Sequence, residues 1–224
     1  MNPPFKHIFA FLTQFIKTPL RVGSAIPSSH WLAERVSQSI ATNNSESAPP
    51  KRYLEVGAGT GTLTQKIIQK LRPNDHLDIV EVDDTFCAIL HRKFGHIKNV
   101  TIHHTSIVNW KSKESYFDAI ISALPLSSFS SDQVEAIYRT YESLLKTEGG
   151  LSYIEHIGVS VIGKLFLLAK KKKDFRAVQQ IKQDFYEKNN GRSEIEWWNF
   201  PPIRVCRCTI AKDSSYSEPE SRYP

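Results

Sequence analysis

Three glycines, Gly57, Gly59 and Gly61, stand between the apolar run Tyr53-Leu54-Glu55-Val56 and Thr62-Leu63-Thr64. A strand that turns tightly into a helix through glycines leaves bare backbone against which a ligand can lie. The dinucleotide fingerprint requires a glycine at position 62, where this chain has Thr62. An acid that ends the following strand can accept two hydrogen bonds from the vicinal hydroxyls of a ribose. Ile79-Val80-Glu81-Val82-Asp83 supplies it: Glu81 lies twenty residues beyond Gly61, with Asp83 as the second choice. Glu55 is a further carboxylate, two residues before the first glycine. Together the glycine turn and the acid predict a site for a nucleoside-bearing ligand.

Such a site needs strands and helices in alternation. Strands are predicted at Tyr53–Val56, Leu77–Val82, Val100–His104, Phe117–Leu124 and Leu151–Ile157, with two more at Glu194–Phe200 and Ile203–Ile210. Helices are predicted after the glycine turn, with Leu63, Ile67, Ile68 and Leu71 on one face, at Asp84–Phe94, at Ser131–Lys146 and near 160–188. The alternation implies an α/β fold with a mostly parallel sheet. Only Pro201-Pro202 separates the last two strands, so they form an antiparallel hairpin. Before this domain, at 51–210, residues 5–20 carry Phe5, Ile8, Phe9, Leu12, Phe15 and Ile16 at the spacing of one helical face. That N-terminal region, 1–40, is either an interfacial membrane anchor or a helix docked on the core. Residues 211–224 have the composition of a disordered tail.

A Rossmann-like, seven-stranded, mostly parallel sheet with a C-terminal antiparallel hairpin is the architecture of class I S-adenosylmethionine-dependent methyltransferases, and Glu55-Val56-Gly57-Ala58-Gly59-Thr60-Gly61 resembles their first motif. The resemblance implies S-adenosylmethionine as cofactor, with Glu55 near its methionine end, Gly57, Gly59 and Gly61 against it, and Glu81 on its ribose. Family members often place an aspartate after the third strand. Here Ser106 takes that position, leaving its hydroxyl and the Ile107 N–H to meet the adenine. His103 and His104 point to opposite faces of their strand, so no metal pair is expected.

The segment after the fourth strand, Ser122-Ala123-Leu124-Pro125-Leu126, resembles two families. Ribosomal RNA adenine dimethyltransferases carry Asn-Leu-Pro-Tyr there, whereas bacterial phospholipid N-methyltransferases carry a small residue followed by Leu-Pro-Leu. Ala123 and Leu126 replace the Asn and Tyr that would bind and stack a flipped base. Pro19–Ser29, Tyr153-Ile154-Glu155-His156 and Pro201-Pro202-Ile203-Arg204-Val205 resemble further stretches of the lipid enzymes. The resemblance therefore implies a phosphatidylethanolamine N-methyltransferase, with an RNA adenine methyltransferase or a membrane-associated cofactor-binding protein without lipid turnover as alternatives. Ser122 is assigned to the cofactor, and Leu124 and Pro125 to the acceptor. Tyr153, Glu155 and His156 are the candidates to deprotonate the amine or hold the ammonium, although His156 could equally be a hydrogen-bonded strand end. Tyr153 could share a cation–π contact with Trp31. Arg21 and Arg204 are either phosphate ligands or surface charges.

Composition limits the partners. The 224 residues carry a net charge of +6, and 40% of them are hydrophobic, which excludes a disordered or collagen-like chain. Residues 1–21 hold +3 and residues 163–188 hold +5, both beside Phe, Leu and Ile at helical spacing. An anionic membrane surface suits that pairing better than nucleic acid. Three cysteines without framework spacing, and no apolar run of about 18–20 residues, lead us to expect a cytoplasmic protein, monomeric off the membrane and peripheral to its inner face.

Overall fold

The structure, a computed structural model, describes residues 34–37, 48–156, 169–196 and 203–210. The strands are β1 (Arg52–Val56), β2 (His76–Glu81), β3 (Val100–His104), β4 (Phe117–Ser122), β5 (Leu145–His156), β6 (Arg192–Glu196) and β7 (Ile203–Thr209). They form one sheet in the order β3-β2-β1-β4-β5-β7-β6. The first five run parallel, and β7 lies antiparallel to both β5 and β6. The predicted fold is thus present, down to the closing hairpin. The predicted helix at 5–20, Arg21, Trp31, Pro19–Ser29 and the tail at 211–224 lie outside the described residues.

Alternation along the strands divides the core in two. Leu54, Val56, Ile120, Leu151 and Tyr153 face helices α3 (Ser131–Leu144) and α4 (Ala169–Lys188), whose Val134, Ile137, Tyr141, Val178 and Phe185 complete that layer. Tyr53, Leu77, Ile79 and Ile121 face α1 (Thr62–Lys70) and α2 (Asp84–Phe94), meeting Leu63, Ile67, Leu90 and Phe94. Near-continuous burial along β1, β2 and β4 is what a parallel sheet covered on both faces requires.

The helix starts are set locally. Asp83 caps α2 by accepting from Phe86 N. Ser130 and Gln133 form a reciprocal capping box at α3. Asp174 of α4 accepts from both the backbone N and the hydroxyl of Ser131, at 3.1 and 2.7 Å, which fixes α4 against the start of α3. Two strands differ from the sequence expectation. β5 begins at Leu145 because α3 runs straight into it, and its pairing with β4 shifts between Phe117 and Ala119. β6 begins earlier than predicted, because Arg192 and Ser193 already pair with β7.

Candidate functional site

Strand order reverses between β1 and β4, so the loops that leave their C-terminal ends diverge and open a crevice. A cavity of about 210 Å3 occupies that crevice, lined by Gly57, Gly59, Glu81, Asp83, Ser106, Ile107, Leu124 and Pro125. It therefore brings together seven residues named from the sequence for cofactor or acceptor, with Asp83 added. Ala123, Phe86, Phe129 and the first turns of α3, with Asp132, Gln133, Ala136 and Ile137, add to the wall.

Glu81 organises the crevice. Its Oε2 accepts from Gly59 N at 2.9 Å, and its Oε1 accepts from Val82 N at 2.8 Å and Asp83 N at 3.1 Å. One carboxylate thus ties the glycine turn to the β2–α2 turn. Three of its roughly four lone-pair sites are taken, which leaves capacity for about one ligand hydroxyl, so the second hydroxyl of a diol needs another acceptor. Asp83 lines the same cavity, and its Oδ1 accepts from Phe86 N.

The three glycines have positive φ but different surroundings. A Cβ at Gly59 would meet nothing within 4 Å, so that position opens onto space a ligand can fill. A Cβ at Gly61 would stand 2.5 Å from Phe94 Cε2. Gly61 therefore serves the packing of α1 on α2, and it does not line the cavity. Lys93 Nζ donates to Thr60 O at 2.8 Å and closes the turn from outside.

Ser122 and Glu55 also lie off the cavity wall. Ser122 Oγ accepts from Tyr141 OH at 2.9 Å and from Leu124 N at 3.3 Å, so it fixes the backbone of the Leu124-Pro125 segment from beneath. Glu55 is fully buried on the α1 face, and neither of its oxygens has a hydrogen-bond partner. Burial pushes its carboxyl up to about 8; the neighbouring Thr64 hydroxyl, which itself completes no hydrogen bond, partly offsets this, and Glu81 adds to it.

The raised value has a sign that can be measured. The folded protein holds this proton where the unfolded chain, with an ordinary carboxyl near 4.5, has lost it. Stability of the cofactor-free protein should therefore fall as pH rises from about 4.5 to about 8, then level off. Glu55→Gln should remove that slope. Melting temperatures of the two proteins across this range should converge at low pH and diverge in favour of the variant at high pH; parallel curves would contradict it.

The residues predicted for proton transfer and phosphate contact lie one strand further on. Tyr153, Glu155 and Arg204 line a second cavity, between β5, β7 and α4. Tyr153 is 1% exposed, with its ring edge-on to Tyr138 at 6.2 Å, and burial raises its hydroxyl far above the usual range. It is a core residue that stays protonated. Glu155 pairs with Lys182 at 2.7 Å and with Arg204 at 3.8 Å. His156 is placed by its backbone, opposite Ile203. Among the described residues no group of three or more His, Cys, Asp or Glu could hold a metal, and no helix is long and apolar enough to cross a membrane. Cys206 and Cys208 are buried, which pushes their thiols up to about 12.

Comparison with known proteins agrees with this geometry. Residues 54–149 match the family model of a methyltransferase domain. The chain is 27% identical over 155 residues to an ornithine lipid N-methyltransferase of Singulisphaera acidiphila, covering 66% of this chain and 78% of that protein. It is 32% identical over 82 residues to a probable ribosomal RNA small subunit methyltransferase A of Methanosarcina barkeri, covering 37% of this chain and only 27% of that one. Among solved structures, the N-methyltransferase NodS from Bradyrhizobium japonicum in complex with S-adenosyl-L-homocysteine aligns with a TM-score of 0.61 at 15% identity, covering 83% and 87% of the two chains. The CurJ carbon methyltransferase aligns at 0.65 and 17%, covering 88% of this chain and 58% of that one.

The residues fit the cofactor at its nucleoside end, where the open face of Gly59 stands beside Glu81. Residues 54–149 match a methyltransferase domain, the sheet is that of the class I fold, and the protein is an S-adenosylmethionine-dependent methyltransferase.

Proposed function

We propose that the protein methylates the amine of a membrane lipid, phosphatidylethanolamine, at an anionic bilayer surface. The observation that carries this reading is the acceptor rim. Ala123 and Leu124 line the cavity, while Leu126 is 2% exposed and packed in the core. At the two rim positions where an RNA adenine dimethyltransferase carries Asn and Tyr, a nucleobase would meet the methyl group of Ala123 and find Leu126 withdrawn into the core. An aliphatic amine needs neither, because transfer from a sulfonium is an in-line displacement that depends on alignment and on a free lone pair. The lipid acceptor named for the Singulisphaera relative supports the same class of substrate.

Within this reading Gly57, Gly59, Glu81, Ser106 and Ile107 hold the cofactor, with Glu55 beneath its amino end. S-adenosylmethionine supplies the electrophilic methyl group. Leu124 and Pro125 exclude water and guide the amine. Glu155 stands two residues beyond Tyr153, which pairs with Ser122, and Leu124 stands two beyond Ser122, so Glu155 and the end of β5 at His156 are our candidates to take the ammonium proton. Arg21 and Arg204 are assigned to the headgroup. Residues 1–40 and the basic stretch near 163–188 hold the 51–210 domain on the cytoplasmic face of the membrane, the protein being monomeric away from it, and 211–224 is a tail.

The test is methyl transfer from radiolabelled S-adenosylmethionine to vesicles of phosphatidylethanolamine and phosphatidylglycerol, with lipids separated afterwards. Labelled mono- or dimethylated lipid is expected, with turnover falling as salt screens the surface. Label in added ribosomal RNA alone would select the nucleic-acid reading, and cofactor and vesicle binding without labelled lipid would contradict lipid turnover.

A further inference from the structure

The second cavity, of about 240 Å3, is more than a resting place for strand-end side chains. It adjoins the acceptor rim through Ser127, whose hydroxyl accepts from Lys182 Nζ at 3.3 Å just beyond Leu124-Pro125. Lys182 is 6% exposed, and a lysine is seldom buried this far without a carboxylate. Glu155 meets that need at 2.7 Å, but Arg204 also leans on the same carboxylate at 3.8 Å. Two cations therefore share one anion.

The hydrogen-bond accounting points the same way. Arg204 Nε and Gln179 Nε2 are both buried donors without a partner, and both residues line this cavity. Orphaned buried donors are costly, and two of them beside an uncompensated cation leave a site that an acceptor-rich anion completes. Arginine suits this purpose because its planar fork matches carboxylate and phosphate oxygens.

We propose that this cavity is an anion subsite, built from Arg204, Gln179 and Lys182, that takes the phosphate or carboxylate standing beside the acceptor amine. The inference rests on the lipid-amine reading above and narrows it. The acceptor is a zwitterionic headgroup whose amine enters at Leu124-Pro125 while its anion is held one strand away. A phosphoethanolamine group and an ornithine group share that chemistry. A plain long-chain amine lacks it and leaves the donors unpaired, which is how a polar site discriminates.

Inorganic phosphate, acetate and phosphoethanolamine titrated calorimetrically into the wild-type protein, Gln179→Leu and Arg204→Gln test the subsite directly. Lys182 is left intact, because removing it would strand Glu155. Wild type should bind at least one of these anions, with each variant weaker by about 10-fold or more, and unchanged S-adenosylhomocysteine affinity reporting that the variants fold. In vesicle turnover each variant should raise KM by a similar factor with kcat little changed. A KM rise with phosphatidylethanolamine assigns the subsite to phosphate, and one with ornithine lipid to carboxylate. If wild type binds no anion, or both variants bind as tightly as wild type, the subsite is wrong whatever the vesicles give. If anion binding follows this pattern while no lipid is methylated, the lipid reading fails and the subsite stands.

Discussion

Glu81→Ala lowers affinity for S-adenosylhomocysteine by about 100-fold or more, the equivalent of about 2.7 kcal/mol. The reason lies in three backbone donors, not only in a lost ligand contact. Gly59 N, Val82 N and Asp83 N converge on this one carboxylate, at 2.9, 2.8 and 3.1 Å. Without it the glycine turn loses its tie to β2, so the cavity wall loses shape before any cofactor arrives. Hydrogen bonds to a charged group contribute about 1.5–3 kcal/mol each, and water entering the vacated space recovers part of that. The melting temperature should therefore fall by roughly 5–10 °C. Glu81→Gln is nearly as severe for the turn. Its carbonyl can keep Val82 N and Asp83 N, but its NH2 then faces the Gly59 N–H, donor against donor. Calorimetric titration and thermal melts check both variants; affinity within about threefold of wild type would remove Glu81 from the centre of the site.

The paired variants Gly59→Ala and Gly61→Ala separate binding from folding. Both positions have positive φ, 56° and 84°, so alanine is strained at either by about 1–2 kcal/mol. At Gly61 the new methyl also meets Phe94 Cε2 at 2.5 Å and Leu90 Cδ2 at 3.1 Å, adding an overpacking cost of about 1–3 kcal/mol. Gly61→Ala should lose roughly 5–15 °C in melting temperature. Gly59→Ala has no such contact, and its methyl projects into the space beside Glu81. It should lose only a few degrees yet bind S-adenosylhomocysteine about 10-fold or more weakly. Thermal melts and titrations of both variants measure the contrast. Equal stability losses would show that the contact with Phe94 is not what makes Gly61 necessary.

The same glycines mark what could be read from sequence and what could not. The turn and the acid after β2 are local in the chain, and so were visible, as were the helix periodicity and the Pro-Pro hairpin. Whether a given glycine faces ligand or neighbouring helix depends on Phe94, thirty-three residues away. Ser122 and Glu55 are assigned to the cofactor from their places beside the motifs, and only the fold shows where their side chains point. Side-chain direction alternates along a strand, and it turns Glu55 toward α1 and hands Ser122 to Tyr141. Tyr153 reads as an aromatic at a strand end, but the sheet order buries it under β7 and α4.

Lys182 is legible in the sequence. It sits four residues after Val178 and three before Phe185, on the stripe that α4 buries, so a cation on an apolar helical face signalled a partner. The wall contributed by Phe129, Asp132, Gln133 and Ala136 follows from topology: the helix after β4 must begin at the carboxyl edge of the sheet, where the Ser130–Gln133 capping box starts it.

One cavity, at the carboxyl ends of β1 to β4, is proposed to hold the methyl donor against the Leu124-Pro125 rim. A crystal structure of the full chain with S-adenosylhomocysteine tests this most directly. It should place the ribose at Glu81, the adenine beside Ile107 and the sulfur toward Leu124-Pro125; nucleoside density in the Glu155–Lys182 cavity, or a ligand bound clear of Gly59 and Glu81, would contradict it.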